Sequence, residues 1–265
     1  MHIPVLIKEV VEHLNPTKGA TIVDATVGNG GHSKEILKLV GEKGRVIGLY
    51  QDAEILEKLK AVAPKNLILV NENFRNLDKV LEHLKIEYVN GVLMDIGINS
   101  DQLEFSGRGF SFLKDEPLLM NMGMSAESAG LTAKEIVNRL PEKEIADIIY
   151  KYGEERFSRR IARGIVERRI KKQIETTLEL VEIIRLSVPA VYRNNRRINC
   201  ATKTFQALRI AVNDELGALS EGLGKAWQAL GEGGRLVVIS FHSLEDRIVK
   251  TYFRELAKNE EGKIL

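Results

Sequence analysis

The sequence predicts an α/β fold, a doubly wound parallel sheet interrupted by an all-helical domain. Up to Asp95, short apolar runs alternate with amphipathic stretches at the spacing of right-handed βαβ crossovers. After Asp95 this alternation stops, and 132–190 reads as helix without a strand. A further apolar run, 235–241, follows a long helical stretch and restores the pattern. The predicted domains are 1–105 with 204–265 for the sheet and 106–203 for the helical insertion.

Strands and helices are predicted from the period of their apolar residues. Apolar runs bounded by polar or glycine-rich turns are typical of buried strands in a parallel sheet. The predicted strands are 20–24, 45–50, 66–70, 91–95 and 235–241. Apolar residues three and four positions apart indicate amphipathic helices. The predicted helices outside the insertion are 5–14, 33–40, 53–62, 76–84, 204–230 and 244–258.

Composition excludes several classes of protein. The chain has 265 residues, of which 44% are hydrophobic and 29% charged, which is enough for a packed core and too apolar for a disordered chain. No apolar run approaches the ~18 residues of a membrane-spanning helix, and the amino terminus lacks the pattern of a signal peptide. The single cysteine, Cys200, cannot form an intramolecular disulfide, so we expect a cytoplasmic protein.

Positive charge is concentrated in one part of the chain. Residues 151–209 contain fifteen Lys and Arg against six Asp and Glu, a net charge of +9, whereas the whole chain carries +2 and the remainder therefore −7. A basic insertion on a mildly acidic domain is typical of a nucleic-acid contact face. The same charges also suit a solvated helical surface with ion pairs along each helix, and both interpretations stay open.

A glycine-rich turn, 28–31, joins the first predicted strand to the next helix. Glycines let the backbone bend sharply and approach a ligand beside the positive end of a helix. A pyrophosphate or the carboxylate of S-adenosylmethionine would suit that place. The spacing differs from the G-x-G-x-x-G of dinucleotide enzymes, which disfavours an NAD-dependent oxidoreductase. A tight strand–helix joint without a ligand is the alternative.

Asp95 ends the fourth predicted strand, at the edge of the sheet where ligands of open α/β sheets bind. A carboxylate that ends an apolar strand is costly to bury without a partner, so we expect it to face a polar ligand or substrate. An aspartate that caps a helix or braces a loop is the alternative.

Several motifs of the chain resemble the RsmH/MraW family of S-adenosylmethionine-dependent methyltransferases. They are HIPVL at 2–6, GGHS at 30–33, LMD at 93–95, QL at 102–103, RGFSF at 108–112, YGEERF at 152–157, TKTFQALRI at 202–210 and SFHSLEDR at 240–247. The resemblance implies a class I, Rossmann-like methyltransferase fold with an inserted substrate-recognition domain. It also implies methyl transfer to the exocyclic N4 of a cytidine in 16S rRNA of the small ribosomal subunit, near the decoding centre.

The resemblance also implies residue roles. The expected S-adenosylmethionine-binding residues are Gly30, Gly31, His32, Tyr50, Phe74, Asp95 and Gln102. Asp95, or carbonyl groups of the 95–98 loop, would hold the amino group of the cytosine, which makes Asp95 the expected catalytic residue. The expected RNA contacts are Arg108, Phe110, Arg193, Arg196, Arg197 and His242. His242 suits the capping of the following helix equally well, and no metal-ligand spacing is present.

The chain departs from the family at positions expected to be polar. Tyr50 stands where the family carries an aspartate for the cofactor ribose, and Asp52 could substitute only with a shifted loop. Leu119, Asn121 and Gly123 replace two carboxylates and a guanidinium. An active methyltransferase is the first hypothesis. A diverged paralogue that keeps the fold, and with it RNA binding, but has weakened or lost methyl transfer is the second.

The carboxyl terminus also differs from the family pattern, in which a basic tail continues the sheet. The chain ends at Leu265, so the strand at 235–241 is expected to lie at an apolar edge of the sheet. Such an edge invites pairing with another chain, and a homodimer through this strand is therefore predicted.

Overall fold

The chain folds into two compact units. The computed structural model describes residues 4–123, 131–194, 199–259 and 262–264. The sheet unit consists of Met1–Gly97 and Leu216–Leu265, and the helical unit consists of Ile98–Glu215. The predicted insertion, 106–203, lies within the helical unit, whose bounds are wider. No helix in the described ranges is long and apolar enough to cross a lipid bilayer.

A parallel sheet forms the centre of the sheet unit. Its described strands are β1 (Thr21–Asp24), β2 (Arg45–Leu49), β3 (Leu67–Val70), β4 (Val89–Asp95) and β5 (Leu230–Ile239). Their order is β3-β2-β1-β4-β5, and all neighbouring pairs are parallel. This confirms the predicted doubly wound α/β fold. The strand order reverses between β1 and β4, which is where sheets of this kind bind their ligands.

Helices account for most of the remaining described chain. In chain order they are α1 (Ile7–Leu14), α2 (Gly31–Val40), α3 (Ala53–Lys60), α4 (Leu77–His83), α5 (Ser100–Phe105), α6 (Ala133–Arg139), α7 (Glu142–Gly153), α8 (Ser158–Lys171), α9 (Thr177–Ser187), α10 (Ala190–Arg193), α11 (Thr202–Asn213), α12 (Glu215–Gln228) and α13 (Ser243–Lys258). The described part of the insertion therefore contains helices where helices were predicted.

Both faces of the sheet are covered by helices. Alternate strand residues point to opposite faces, so Ile22 and Val23 of β1 belong to different apolar clusters. The cluster around Ile22 includes residues of α1 and α2, and the cluster around Val23 includes residues of α4, α12 and α13. Burial on both faces explains why the strands read as continuous apolar runs rather than as alternating ones.

The helical unit has one described apolar core of its own. Helices α6, α7, α8, α9 and α11 contribute to it, and so do Phe110, Leu118 and Met120 from the segment before α6. Cys200 is buried in this core, and burial raises the pKa of its thiol. A buried thiol of this kind behaves as a small apolar residue.

The prediction of a single helix over 204–230 is wrong. The structure has α11 and α12 there, separated at Asp214, which takes a left-handed conformation with φ +46°. The Asp214 N–H still donates to the carbonyl of Ile210, which closes α11. Apolar periodicity continues across a break of one residue, so the pattern alone does not reveal it.

The fifth strand begins earlier than predicted. The strand was predicted at 235–241, after the glycine-rich residues 231–234, but β5 already begins at Leu230. Leu230 pairs with Val89 and Arg235 with Gly91, so the register shifts between these two pairs. The glycine-rich segment is therefore an irregularity within β5, of the kind that glycine permits in a strand.

Candidate functional site

The carboxyl ends of β1 and β4 form the candidate site. Asp24 ends β1 beside Leu93 of β4, and Asp95 ends β4. The N–H of Ala25 donates to the Leu93 carbonyl at 2.8 Å. The N–H of Asp95 donates to Thr26 Oγ1 at 2.7 Å. These bonds hold the two strand ends in register, so the side chains that follow them have a defined spacing.

The glycine turn after β1 ends directly at α2. Gly28 and Gly30 have φ of +48° and +76°, a conformation that is strained for other residues. The first bond within α2 runs from the N–H of Lys34 to the carbonyl of Gly30 at 2.9 Å. The N–H groups of residues 31–33 therefore precede the helical bonding pattern and carry the positive end of the helix dipole. An anionic group is favoured at this place.

Side chains are excluded at the two glycines that open α2. A Cβ atom at Gly30 would lie 2.9 Å from Leu59 Cδ1, and one at Gly31 would lie 2.6 Å from Pro4 Cγ. Real Cβ atoms essentially never approach other atoms so closely. The glycines therefore let Leu59 and Pro4 pack closely against the backbone at the start of α2.

The Asp24 side chain stabilises the glycine turn through hydrogen bonds. Its side chain is 1% exposed and accepts hydrogen bonds from Ser33 Oγ at 2.7 Å and from the N–H of Thr26 at 3.3 Å. Burial raises the pKa of the Asp24 carboxyl, and the hydrogen bond from Ser33 opposes that shift. Asp24 therefore ties the first turn of α2 to the loop after β1.

His32 connects the amino-terminal segment to Asp95. Its Nε2 donates to the Val5 carbonyl at 2.8 Å, and its Nδ1 lies 3.7 Å from Asp95 Oδ2. A carbonyl oxygen can only accept a hydrogen bond, so Nε2 carries the proton. The His32 side chain is 8% exposed and that of Asp95 is 24% exposed. His32 therefore packs beside a carboxylate that still reaches the surface of the site.

Tyr50 directly follows β2, at the same edge of the sheet. Its N–H donates to the Val70 carbonyl at 3.1 Å, and its carbonyl accepts from Asn71 Nδ2 at 2.8 Å. Asp52 is buried and accepts from the N–H of Ile55 at the start of α3. Asp52 therefore caps α3 through one of its carboxylate oxygens.

Phe74 follows β3 and opens a 3₁₀ turn, Phe74–Asn76. Its half-buried ring packs against the apolar cluster that contains Val23. The ring also lies against Gly222 of α12, where a Cβ atom would come 2.5 Å from Phe74 Cδ2. This close packing holds the ring in place and leaves part of it accessible. An accessible aromatic ring can cover a nucleobase such as adenine.

The residues present in the sheet unit suit S-adenosyl-L-methionine. The positive end of the dipole at the start of α2 suits its carboxylate, and the partly exposed Asp95 carboxylate suits its ammonium group. Tyr50 and Phe74 follow β2 and β3, the next strands of the sheet, and offer aromatic surface. The structure places His32 next to Asp95. The cofactor-binding roles of these two residues, and those of Gly30, Gly31, Tyr50 and Phe74, stay predictions.

Gln102, Arg108 and Phe110 are predicted site residues in the first part of the helical unit. Gln102 is 2% exposed, and its side chain accepts from the N–H of Asn99 in the capping box of α5. Arg108 donates to the carbonyls of Asn121 and Met122, both at 3.2 Å. Phe110 is 6% exposed within the apolar core. The prediction that Phe110 contacts RNA is therefore corrected, because a buried ring offers no face on which a base can stack.

The remaining predicted RNA contacts differ in their surroundings. Arg193 donates to the Arg185 carbonyl at 3.2 Å, and Arg196 and Arg197 lie outside the described residues. His242 caps α13, since its Nδ1 accepts from the N–H of Glu245 at 3.3 Å. The capping alternative for His242 is thus realised, and its contact with substrate stays a prediction.

Sequence reasoning missed Phe241 as a candidate. Phe241 is 58% exposed, which is unusual for a residue as apolar as phenylalanine. A Cβ atom at Gly97 would lie 3.5 Å from Phe241 Cδ2, so the ring lies beside the loop that follows Asp95. The SFHS motif contains both Phe241 and His242, and only the histidine was predicted to contact the substrate. Asp24 was also missed, although a carboxylate before a glycine turn could have indicated it.

Comparisons with known proteins show which family the chain belongs to. The model of the MraW methylase family matches residues 1–263. The "Ribosomal RNA small subunit methyltransferase H" of Clostridium botulinum is 48% identical over 97% of this chain and 82% of that protein. The protein of the same name from Carboxydothermus hydrogenoformans is 50% identical over 96% of this chain and 80% of that protein.

One solved structure illustrates the structural comparison. The fibrillarin of Aeropyrum pernix in complex with S-adenosyl-L-methionine is 19% identical and aligns with 34% of this chain and 42% of its own, at a TM-score of 0.30. The family is shown by the sequence relatives and by the family model, which spans nearly the whole chain. The chain therefore belongs to the MraW methylase family and is an S-adenosyl-L-methionine-dependent methyltransferase.

Proposed function

We propose that this protein methylates the exocyclic N4 of a cytidine in the 16S rRNA of the small ribosomal subunit, near the decoding centre. The names of its relatives support the small-subunit rRNA as substrate. The observation that carries the chemistry is the partly exposed Asp95 carboxylate at the carboxyl end of β4, which lies 3.7 Å from His32 Nδ1. The enzyme would act in the cytoplasm, where ribosomal subunits are found.

The sheet unit supplies a place for the methyl donor. When bound, S-adenosyl-L-methionine supplies a methyl group on a sulfonium sulfur, which a nucleophilic nitrogen can displace. The start of α2 would hold its carboxylate, Phe74 would cover its adenine, and Tyr50 would lie near its ribose.

The chain's own contribution to the reaction is to orient the nucleophile. The amino nitrogen of cytosine is a weak nucleophile because its lone pair is delocalised into the ring. Asp95 would accept a hydrogen bond from an N4 hydrogen, which turns the amino group out of the ring plane and frees the lone pair. The same carboxylate can take the proton that N4 loses. Holding both reactants in line supplies several kcal/mol of the barrier reduction, roughly 7–11 in favourable intramolecular cases.

The target base must leave the base stack before it reaches this site. Enzymes that modify a base in RNA or DNA hold it against aromatic or apolar side chains once it is turned out. Phe241 suits this task, because its exposed ring lies beside the loop after Asp95. The RNA itself would be held by basic residues of the helical unit, among them Arg193.

The test is methyl transfer to purified small subunits. We expect labelled S-adenosyl-L-methionine to label one cytidine of the rRNA at N4, located by nuclease digestion and mass spectrometry. Asp95→Asn should lower the rate roughly 10²–10⁴-fold while the protein stays folded. Asp101→Asn, which removes a carboxylate from α5, serves as the matched control. Label on another base, or full activity of Asp95→Asn, would overturn the proposal.

A diverged paralogue with weak or absent methyl transfer is a second candidate. It is favoured by Tyr50 at the ribose position, together with the engagement of Asp52 in capping α3. Titration of S-adenosyl-L-methionine by calorimetry separates the two, since an active enzyme should bind it at micromolar concentration. Absence of binding, with no labelled base, would favour the diverged paralogue.

A further inference from the structure

A groove of about 610 Å³, open to solvent, lies between helices α8 and α9 of the helical unit. The helices come close together at Gly164, where an added Cβ atom would overlap Ser187 Oγ. Ile183 is buried at the floor. The side chains that line the groove therefore project from two tightly packed helices. This packing gives the groove a defined shape.

One face of α8 places positive charges along this groove. Arg160, Arg163, Arg168 and Lys171 all line it, and eleven residue steps, or roughly 16 Å of helix axis, separate the first from the last. Glu167 and Glu182 are the two lining carboxylates. The groove thus carries four positive and two negative side chains, and its net charge is positive.

These cations are available to a partner. Arg163 Nε lies 3.9 Å from Glu142 Oε1, and its side chain is 71% exposed, so that contact is weak. The Arg160 guanidinium lies 5.9 Å from the centre of the Phe157 ring, which leaves its N–H groups accessible. Arg168 and Lys171 form no ion pair with any residue that the structure describes.

We propose that this groove binds the sugar-phosphate backbone of the substrate RNA, an inference that rests on the proposed rRNA substrate. A nucleic-acid strand presents phosphates at regular short intervals, and a row of guanidinium groups can bind them with paired hydrogen bonds. An acidic protein segment is the competing occupant. Protein partners are usually anchored by clusters of aromatic or apolar side chains, whereas Leu186 is the single exposed apolar side chain among the groove's lining residues.

The experiment compares two double variants that remove the same charge. R163Q/R168Q neutralises the groove, and R139Q/K143Q neutralises two basic residues on α6 and α7 that do not line it. Affinity for an in vitro transcript of small-subunit rRNA is measured at several salt concentrations, together with S-adenosyl-L-methionine binding and thermal unfolding. We expect the groove variant to bind the transcript about tenfold more weakly and the salt slope to fall by roughly 1.5. The control should stay within about twofold of the unchanged protein.

A third variant has the opposite expected effect. Glu182→Gln removes a carboxylate from the groove, so we expect it to bind the transcript about threefold more tightly. A misfolded protein would not bind more tightly, so this result is independent of any loss of stability in R163Q/R168Q.

The outcomes distinguish this inference from the proposed function. If the unchanged protein methylates small subunits but both double variants bind RNA equally, the groove inference fails alone. If R163Q/R168Q loses affinity for intact subunits and keeps it for the naked transcript, a protein occupies the groove and the RNA proposal is overturned. If the unchanged protein neither methylates the rRNA nor binds it, the proposed function fails and the groove inference fails with it.

Discussion

His32 Nδ1 lies 3.7 Å from Asp95 Oδ2, while the opposite ring nitrogen donates to the Val5 carbonyl. One imidazole thus joins the first turn of α2, the end of β4 and the amino-terminal segment. A buried imidazole thus packs beside a partly exposed carboxylate, and such packing limits the movement of a reactive group without covering it.

Substituting His32 should therefore reduce activity through Asp95. We expect His32→Ala to lower kcat/KM roughly 10²-fold, because a displaced carboxylate orients the amino group poorly. The free energy of unfolding should fall by about 1 kcal/mol with the lost hydrogen bond to Val5. Steady-state kinetics and urea unfolding measure the two effects.

Two variants control this prediction. His32→Gln can still donate to the Val5 carbonyl, so we expect it to recover most of the stability and only part of the activity. His13→Ala removes an exposed histidine of α1 and should change neither. Equal activity of His32→Ala and His13→Ala would contradict the role assigned to His32.

Tyr50→Asp should strengthen cofactor binding. A carboxylate after β2 would accept hydrogen bonds from the ribose hydroxyls, and one such charge-assisted bond contributes roughly 1–3 kcal/mol. Calorimetric titration with S-adenosyl-L-methionine measures the change. Tyr88→Asp, which adds the same charge at an exposed tyrosine before β4, should leave the affinity unchanged. An unaltered Kd in Tyr50→Asp would show that residue 50 does not face the ribose.

Phe241→Ala should impair the use of the RNA substrate rather than of the cofactor. Loss of stacking on one base costs roughly 1–3 kcal/mol, so we expect the KM for small subunits to rise about tenfold with unchanged affinity for S-adenosyl-L-methionine. Phe105→Ala, at another exposed phenylalanine, is the matched control. Equal KM values for the two variants would exclude a stacking role for Phe241.

Glu179 should make the helical unit sensitive to acid. The hydrogen bond from Lys172 holds the pKa of this carboxyl at about 2, against an ordinary value of 4.5. A depressed pKa in the folded state means that the stabilisation is present above pH 4.5 and is lost as the pH falls towards 2. We expect Glu179→Gln to lower the free energy of unfolding by about 1 kcal/mol at pH 7.

Urea unfolding at several pH values checks this expectation. The difference between Glu179→Gln and the unchanged protein should shrink as the pH falls from 4.5 towards 2, because below about pH 2 both carry a neutral group at position 179. Glutamine keeps the capping geometry at the start of α9, so the variant isolates the charge. A difference that stays constant down to pH 2 would contradict the assignment.

Much of the fold could be predicted because its signals are local. The strand predicted at 45–50 is observed at Arg45–Leu49, and the helix predicted at 244–258 is observed at Ser243–Lys258. Both depend on runs of apolar residues that the sequence shows directly. The break at Asp214 and the early start of β5 were missed, because each depends on the conformation or pairing of one or two residues rather than on a period.

The site was only partly predictable for a related reason. Gly30, Asp95 and His32 stand out in motifs, but their geometry involves bonds between distant residues, such as the one from Asp95 to Thr26. Phe110 was predicted as an RNA contact because it is an aromatic residue in a motif. The structure shows that this residue is buried, which the motif does not reveal.

The amino-acid sequence by itself determined the parallel sheet, the glycine turn and the family, because apolar periods and motifs are properties of neighbouring residues. Only the tertiary structure decided that Asp24 holds Ser33, that His32 faces Asp95, and that basic residues of α8 line a groove with α9. The physical reason is that hydrogen bonds, burial and charge alignment depend on distances in space, and these arise only when segments far apart in the chain pack together.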